Sequence, residues 1–532
     1  MKRKVVSVCA ISLMILVFGQ NIFACTVFAV GKDATTDNST ITTHNDDSSG
    51  ADFRLWLIPP MTGETRDIVI DSHNYGDYSN YPEIKDYGNG MKILEIDQKE
   101  VTNQYLHSRY SFMNDKGVSM GESTFGINKN TEYGQKVYDL IYGDNTGIID
   151  CWNAQDIALE RASSAREAVQ IMGDLVEEFG WKDNGETINV CDGDEVWISE
   201  FYGKDLWCAV KLPSNAFFVA ANRARIDHFD FNDNENYMCS PNFKSFAVEN
   251  GLWSEKDNVE FKPNKVYAPN SRFYSSRREW RAFDLVAPSL NLDPNAAEFP
   301  MWVIPEQKLS VQDIFELTGD YYQGTEFDVT RTAQAGPFGN AAAYDFKERT
   351  INLFRTCYVQ IANVKSWLPD EVKCLVWFGY GAPDSSYITP VWASMTELPE
   401  FYRTGSRFEE FRTDSGWWVN SFVQQTATSN YEEAIVTIHE AREDKMNQQY
   451  KQVATLQNMA SVYSNLGDKE QAVDLLTNYA YYNAVDWHED WLTLGNKLYA
   501  TYMWDKKVMR TPTYPDWWKD ILASAPIKPL EK

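Results

Sequence analysis

Two β-type runs, CTVFAV at 25–30 and TITTHN at 40–45, flank the turn-forming stretch GKDATTDNS, and together they read as one antiparallel hairpin. With the turn centred near Thr35, facing residue numbers sum to about 70, which sets Cys25 opposite Asn45 to within two positions. His44, Asn45, Asp46 and Asp47 are therefore expected beside the cysteine. A fold built on this hairpin keeps one thiol within reach of a short polar and acidic run.

Further hairpins follow. YSFMNDKGVSMGESTFG turns at Asn114–Gly117, DEVWISEFYGKDLWCAVKLP turns at Tyr202–Lys204, and RTCYVQIANVKSWLPDEVKCLVWFGYG turns around Trp367–Asp370. Between the first two, DIALERASSAREAVQIMGDLVEEFG carries apolar residues at helical spacing from Ile157 to Phe179 and stops at Gly180, predicting one amphipathic helix. From Tyr431 to about Lys507 the pattern is helical without a fixed repeat, so a bundle is expected there rather than a solenoid. The class is α+β. With 532 residues, 43% of them hydrophobic, and 18 Trp, 29 Tyr and 28 Phe, the chain can bury a large core in one or two domains.

The N-terminus, Met1-Lys2-Arg3-Lys4 followed by VVSVCAISLMILVFG, has the basic start and short apolar core of a secretory signal, and Ala24 suits the position before a cut. No later stretch is long and apolar enough to cross a bilayer, so the expected mature protein is exported, soluble and headed by Cys25. A lipoprotein signal also ends in cysteine, but bulky Phe23 in IFAC argues against lipidation, and a membrane partner is expected only if Cys25 is acylated. The formal charge of −27 becomes −30 without Lys2, Arg3 and Lys4, which repels phosphate backbones and weighs against nucleic acid. Cys151, Cys191, Cys208, Cys239, Cys357 and Cys374 allow fifteen complete pairings in an exported protein. Neither Cys-x-x-Cys nor His-Glu-x-x-His occurs, so no metal site and no cofactor are expected.

A cysteine exposed by cleavage carries a thiol and an α-amine whose pKa is about 7.7–8.0. The amine can take the thiol proton and later return it to a departing amine, which makes the residue a self-sufficient nucleophile.

The segments CTVFAVGKDATTDNSTITTHNDD, ALERASSAREAVQIMGDLVEEFG, DEVWISE, AFFVAANRARI, YSSRREWRAFDLVAPS and LVWFGYGAPDSSYITPVW occur in the order shown by a known group. On these the sequence resembles the N-terminal-cysteine dipeptidases of the dipeptidase A and secernin type, relatives of choloylglycine hydrolase and penicillin V acylase. The resemblance spans Cys25 to roughly residue 450. It implies a four-layer αββα N-terminal nucleophile hydrolase sandwich over 25–430, after a signal peptide at 1–24 and before a C-terminal helical extension at 431–532. It also implies amide hydrolysis, with short peptides as substrates. Cys25 matches the nucleophile, Asp47 an acid that holds its ammonium or thiol, and Asn222 a donor to the oxyanion hole. A backbone N–H near Glu122 or Ser123 would be the companion donor, and Arg278 matches an active-site arginine of the acylases. His44 stands where many relatives carry arginine, so support for a thiolate becomes conditional on pH.

Plainer readings stand beside these. Cys25 as a disulfide half, residues 44–47 as a solvated strand end, and Asn222 as a turn cap with Arg223 and Arg225 in ordinary ion pairs all fit the local sequence. GVSMG at 117–121 fits Gly-x-Ser-x-Gly in letters, but Ser119 lies in a strand with no helix behind it, contrary to a nucleophile elbow. The alternative functions are an N-acyl amide hydrolase acting on bile-acid conjugates or penicillins, and a lipid-anchored surface protein that stacks ligands on its tryptophans. A homo-oligomer is compatible with the sequence. His44→Arg is expected to retain activity; an inactive variant with an unchanged melting temperature overturns the supporting role of His44.

Overall fold

The computed structural model describes residues 25–48, 53–70, 92–143, 146–270, 272–342, 348–503 and 514–524. The expected signal peptide at 1–24 lies outside the described residues. In chain order the strands are β1 (Val27–Val30), β2 (Thr40–Asp46), β3 (Trp56–Ile58), β4 (Thr65–Ile70), β5 (Lys92–Asp97) and β6 (Tyr105–His107). Next come β7 (Ser111–Asn114), β8 (Ser119–Phe125), β9 (Gly185–Cys191), β10 (Val196–Gly203), β11 (Leu206–Lys211) and β12 (Phe217–Ala220). The last are β13 (Tyr237–Cys239), β14 (Trp302–Val303), β15 (Tyr358–Val364), β16 (Leu375–Tyr380) and β17 (Thr389–Trp392).

The strands form two large sheets. A seven-stranded sheet runs β14-β12-β1-β2-β15-β16-β17, and an eight-stranded sheet runs β13-β11-β10-β9-β8-β7-β6-β3. Every named strand pair in both is antiparallel. All four hairpins expected from the sequence form, and their tips use the backbone freedom the turns demand: Gly117 has φ +77° and Gly203 φ +126°. In the first hairpin Ala29 faces Thr42 and Thr26 faces Asn45, so facing numbers sum to 71 and Cys25 falls next to Asp46, one position from the expected partner.

The two sheets meet through β1 and β2 on one side and β8 and β9 on the other. This contact explains why β2, six of whose seven residues are polar, is buried throughout. Its hydroxyls are satisfied across the gap: Thr42 Oγ1 donates to Ser119 Oγ at 3.1 Å, and Thr40 Oγ1 accepts from the Gly193 N–H at 2.9 Å. Gln360 Nε2 on β15 reaches the Met120 carbonyl at 2.9 Å, and Asn189 Nδ2 reaches the Phe28 carbonyl at 3.1 Å. Ser119 donates in turn to the Phe112 carbonyl at 2.8 Å, a structural use in place of a nucleophile.

Helices pack against each sheet away from this seam. Cys151–Arg161 and Ala165–Phe179 lie against the eight-stranded sheet, whereas Phe273–Val286, Val311–Thr318, Gly416–Ala427 and Lys469–Leu498 lie against the seven-stranded one. The single helix expected up to Phe179 is two helices, separated at Ala162–Ser164. The cause is local. Ser164 accepts from the Glu167 N–H while the Glu167 carboxylate accepts from the Ser163 N–H at 2.7 Å, a reciprocal cap that starts a new helix. The helical C-terminus forms as Tyr431–Asn465 and Lys469–Leu498, reversed at Gly467 with φ +89°. Trp487 stacks on Tyr387 at 4.8 Å and both Trp487 and Trp491 are buried, so these aromatics are core.

Cys25 and the six cysteines left open for pairing are free thiols, although Cys208 and Cys239 face each other across β11 and β13. Among the described residues no helix is long and apolar enough to cross a membrane.

The seam leaves no room at Gly121 on β8, where an added Cβ would overlap the Thr43 carbonyl of β2. Because the obstacle is backbone, the sheets must part to admit it. Gly121→Ala is expected to lower stability by about 1–3 kcal/mol in urea unfolding and to depress activity beyond that loss.

Candidate active site

Cys25 is fully buried at the head of β1, where the two sheets converge. Its sulfur donates to Glu122 Oε1 on β8 at 3.3 Å, and the backbone N–H of Asp47 supports the sulfur from the other side. The carbonyl of Cys25 is held as firmly: it accepts from Arg278 Nη1 at 3.1 Å and from Ser123 Oγ at 3.2 Å.

Burial pushes the Cys25 thiol well above its ordinary pKa, and the negative charges of Glu122, Asp46 and Asp47 push it further. The Asp47 N–H works against this rise. His44 Nε2 lies 3.2 Å from the Glu122 oxygen that meets the sulfur, with its ring edge-on to Tyr110 at 5.1 Å and to Tyr358 at 5.8 Å. The His44 imidazole and the thiol thus meet the same carboxylate oxygen of Glu122.

Glu122 and Glu186 are buried carboxyls on neighbouring strands and share a hydrogen bond. Burial opposes the charge on Glu122, but its hydrogen bond and electrostatic contact with His44, joined by the hydrogen bond from Glu186, hold it below the usual carboxylate range. Burial and the adjacent Glu122 charge drive Glu186 well above that range. The two carboxyls therefore titrate as a pair, in which burial and their proximity oppose full ionisation.

Asp47 is raised to about 7, first by burial, against the lowering effects of Thr356, Arg355 and Arg278. Its Oδ1 accepts from Thr356 Oγ1 at 2.5 Å, and its buried Oδ2 has no hydrogen-bond partner among the described residues. Asp46 also has a raised pKa, chiefly from burial, and a second carboxylate oxygen without a partner.

Asn222 follows β12 in a left-handed conformation, φ +64°, that asparagine tolerates better than most residues. Its backbone N–H donates to Ser123 Oγ at 3.0 Å, and Nδ2 gives a hydrogen bond to the Thr124 carbonyl at 2.8 Å. Oδ1 accepts from Arg278 Nη2 at 2.7 Å. Arg278, fully buried on the helix Phe273–Val286, also reaches Thr26 Oγ1 at 2.8 Å and the Ala221 carbonyl at 3.1 Å. It thereby ties the start of β1 to the end of β12. Arg223 and Arg225 do serve as ion-pair partners, both of Glu279.

All six residues singled out in the sequence, Cys25, His44, Asp47, Ser123, Asn222 and Arg278, fall in this one cluster. Sequence reasoning missed the side chain of Glu122, which meets both the thiol and His44, and missed Glu186 behind it. A glutamate in mid-strand between Gly121 and Ser123, and another in GETINVC, are the only local signals. Cys25, His44 and Asp46 present donor atoms within 4.8 Å of one another, as do Cys151, Asp183 and Glu186, so either trio could gather a metal ion. In the first trio the ion would occupy the sulfur.

The arrangement suits a nucleophilic thiol with a carboxylate acceptor, an imidazole and an arginine-backed amide. The family model for peptidase family C69 matches residues 24–444. Similar curated proteins include a probable dipeptidase of Latilactobacillus sakei, 26% identical over 415 residues that cover 77% of this chain and 82% of the relative. A probable dipeptidase of Salmonella dublin is 28% identical over 388 residues, covering 70% and 82%. A dipeptidase of Bifidobacterium longum is 24% identical over 435 residues, covering 75% and 76%.

Glu122→Gln removes a negative charge and replaces the thiol's carboxylate acceptor with a weaker amide oxygen, two changes that lower the thiol pKa. The expected result is a shift of Cys25 alkylation to lower pH, read by mass spectrometry across a pH series; an unshifted profile in folded protein rules out their coupling.

Proposed function

The chain belongs to peptidase family C69, and from that premise we propose that it is an exported cysteine-type dipeptidase whose nucleophile is Cys25. The printed names of its relatives support the substrate class. The observation that carries the mechanism is the position of Cys25, buried against Glu122 and beside the unpartnered oxygen of Asp47.

Removal of the leader after Ala24 frees the α-amine of Cys25. That amine takes the thiol proton, the thiolate attacks the peptide carbonyl carbon, and a tetrahedral oxyanion forms. The proton passes to the departing amine as the C–N bond breaks, leaving a thioester. Water then attacks with the amine as base, the C–S bond breaks and the thiol is restored. Asp47 holds the α-ammonium through Oδ2, which has no competing partner. The new cation beside it lowers the Asp47 pKa from about 7, so that carboxylate and ammonium stabilise one another.

Asn222 serves the oxyanion. One amide hydrogen is committed to the Thr124 carbonyl, and the other remains for substrate, while Arg278 on Oδ1 polarises the amide and strengthens it as a donor. Glu122 and His44 set the charge around the sulfur. The packing of helices on two apposed sheets supports a four-layer N-terminal nucleophile sandwich, and the basic, apolar leader supports export.

Three measurements test this reading. Intact mass of active protein is expected to begin at Cys25 with no acyl chain, and material still carrying Ala24 or a lipid yet fully active overturns the proton relay. Cys25→Ala is expected to lower dipeptide turnover by at least about 10³-fold with the fold intact. Hydrolysis of penicillin V or conjugated bile acids without dipeptide hydrolysis moves the assignment to the N-acyl amidases.

A further inference from the structure

A cavity of about 300 Å³ adjoins the Asp47–Thr356 hydrogen bond. Thr356 forms part of its wall, as do Arg355, Arg407, Trp417 and Gln424. Its composition is unusual for a chain of net charge −27: two arginines and no acidic side chain among its lining residues.

The Arg407 guanidinium is held in place before any ligand arrives. Arg407 lies over the Trp417 ring at 4.8 Å and donates to the Ser48 carbonyl at 2.6 Å, one residue beyond Asp47. Trp417 is itself stacked on Phe53 at 5.4 Å. Arg355 precedes Thr356 and acts electrostatically on Asp47, yet its buried Nε and Nη2 atoms have no hydrogen-bond partner among the described residues. Arg355 is half-buried, and shielded donors without partners cost stability unless an anion completes them. The planar fork of a guanidinium matches the two oxygens of a carboxylate.

From this geometry, and resting on the dipeptidase reading, we infer that the Arg355–Arg407 cavity is a subsite for the carboxylate of the residue on the leaving side of the scissile bond. In a dipeptide the main-chain carboxylate carbon is three bonds from the attacked carbonyl carbon, a reach of roughly one residue or 3.3–3.6 Å. Thr356 in the cavity wall is bonded to Asp47, whose backbone N–H meets the Cys25 sulfur, so the two arginines are the cationic groups linked to the nucleophile through the shortest chain of contacts on this wall. A longer peptide presents a neutral amide there, leaving Arg355 unpaired after desolvation, which discriminates by penalty as well as by attraction. The same chemistry could come from an acidic side chain on that residue, and the substrates below separate the two sources.

The test measures kcat/KM of wild type, Arg355→Gln and Arg355→Lys on alanyl-alanine, its C-terminal amide, and alanyl-glutamate α-amide. Wild type is expected to prefer the free acid over the amide by roughly 10²-fold, with the ratio collapsing in Arg355→Gln through KM and partly restored by Arg355→Lys. An Arg355-dependent preference for the glutamate amide over the alanine amide supports the subsite with a side-chain source. An acid-to-amide ratio unchanged in a folded Arg355→Gln overturns it. If wild type cleaves none of the three, the dipeptidase reading falls instead. The cavity is then tested alone by melting Cys25→Ala, with and without Arg355→Gln, in sodium acetate against sodium chloride. An Arg355-dependent rise with acetate upholds carboxylate binding, and no dependence refutes it.

Discussion

The close apposition of β2 and β8 governs this molecule. Two sheets that met only through aliphatic side chains could slide by a residue at modest cost, because apolar contact is not directional. Here the contact is made by Thr40, Thr42, Ser119, Asn189 and Gln360, each with a partner on the opposite sheet. Buried hydrogen bonds of this kind penalise every register but one, since a displaced strand leaves donors and acceptors without water or protein to satisfy them. The same fixed register brings a cysteine at the start of β1 to a glutamate in the middle of β8.

That meeting concentrates acid around sulfur. Cys25 has Glu122, Asp46 and Asp47 about it, with Glu186 one strand further away, all of them buried. So many carboxylates could not all remain charged in such surroundings. The cluster resolves the conflict in two ways. Burial and the Glu122 charge drive the Glu186 pKa up and burial raises that of Asp47 to about 7, while Arg278 provides positive charge beside the Cys25 carbonyl. Arg278 does more than balance charge, because its five contacts with Tyr274, Cys25, Thr26, Ala221 and Asn222 fix the reactive residue and the one after it to the end of β12.

Much of this was legible in the letters of the chain, and the limits follow range. Hairpins are local: turn residues at 31–39, 114–117 and 203–204 specified pairings that the structure reproduces, with Cys25 displaced by one position. The break at 162–164 was also local, written in Ser164 and Glu167, but the apolar periodicity running through it obscured the cap. Glu122 escaped because its importance lies in an encounter across 97 residues of sequence. Only a backbone N–H near it was singled out from the sequence, whereas its side chain is buried against the thiol. The cationic cavity was still less accessible, since its walls come from the residues before β15, the loop near 407 and the helix Gly416–Ala427, none bearing a motif.

Glu186 lies diagonally across β8 and β9 from Glu122, since Glu122 faces Ile188 and Thr124 faces Glu186. The division of their shared hydrogen is consequently a property of how two strands sit side by side. A small shear of β9 along β8 alters the carboxyl spacing and hence the electron density that the sulfur experiences, with no atom of the cysteine moved. The scaffold itself acts as a tuning screw for the reactivity of Cys25.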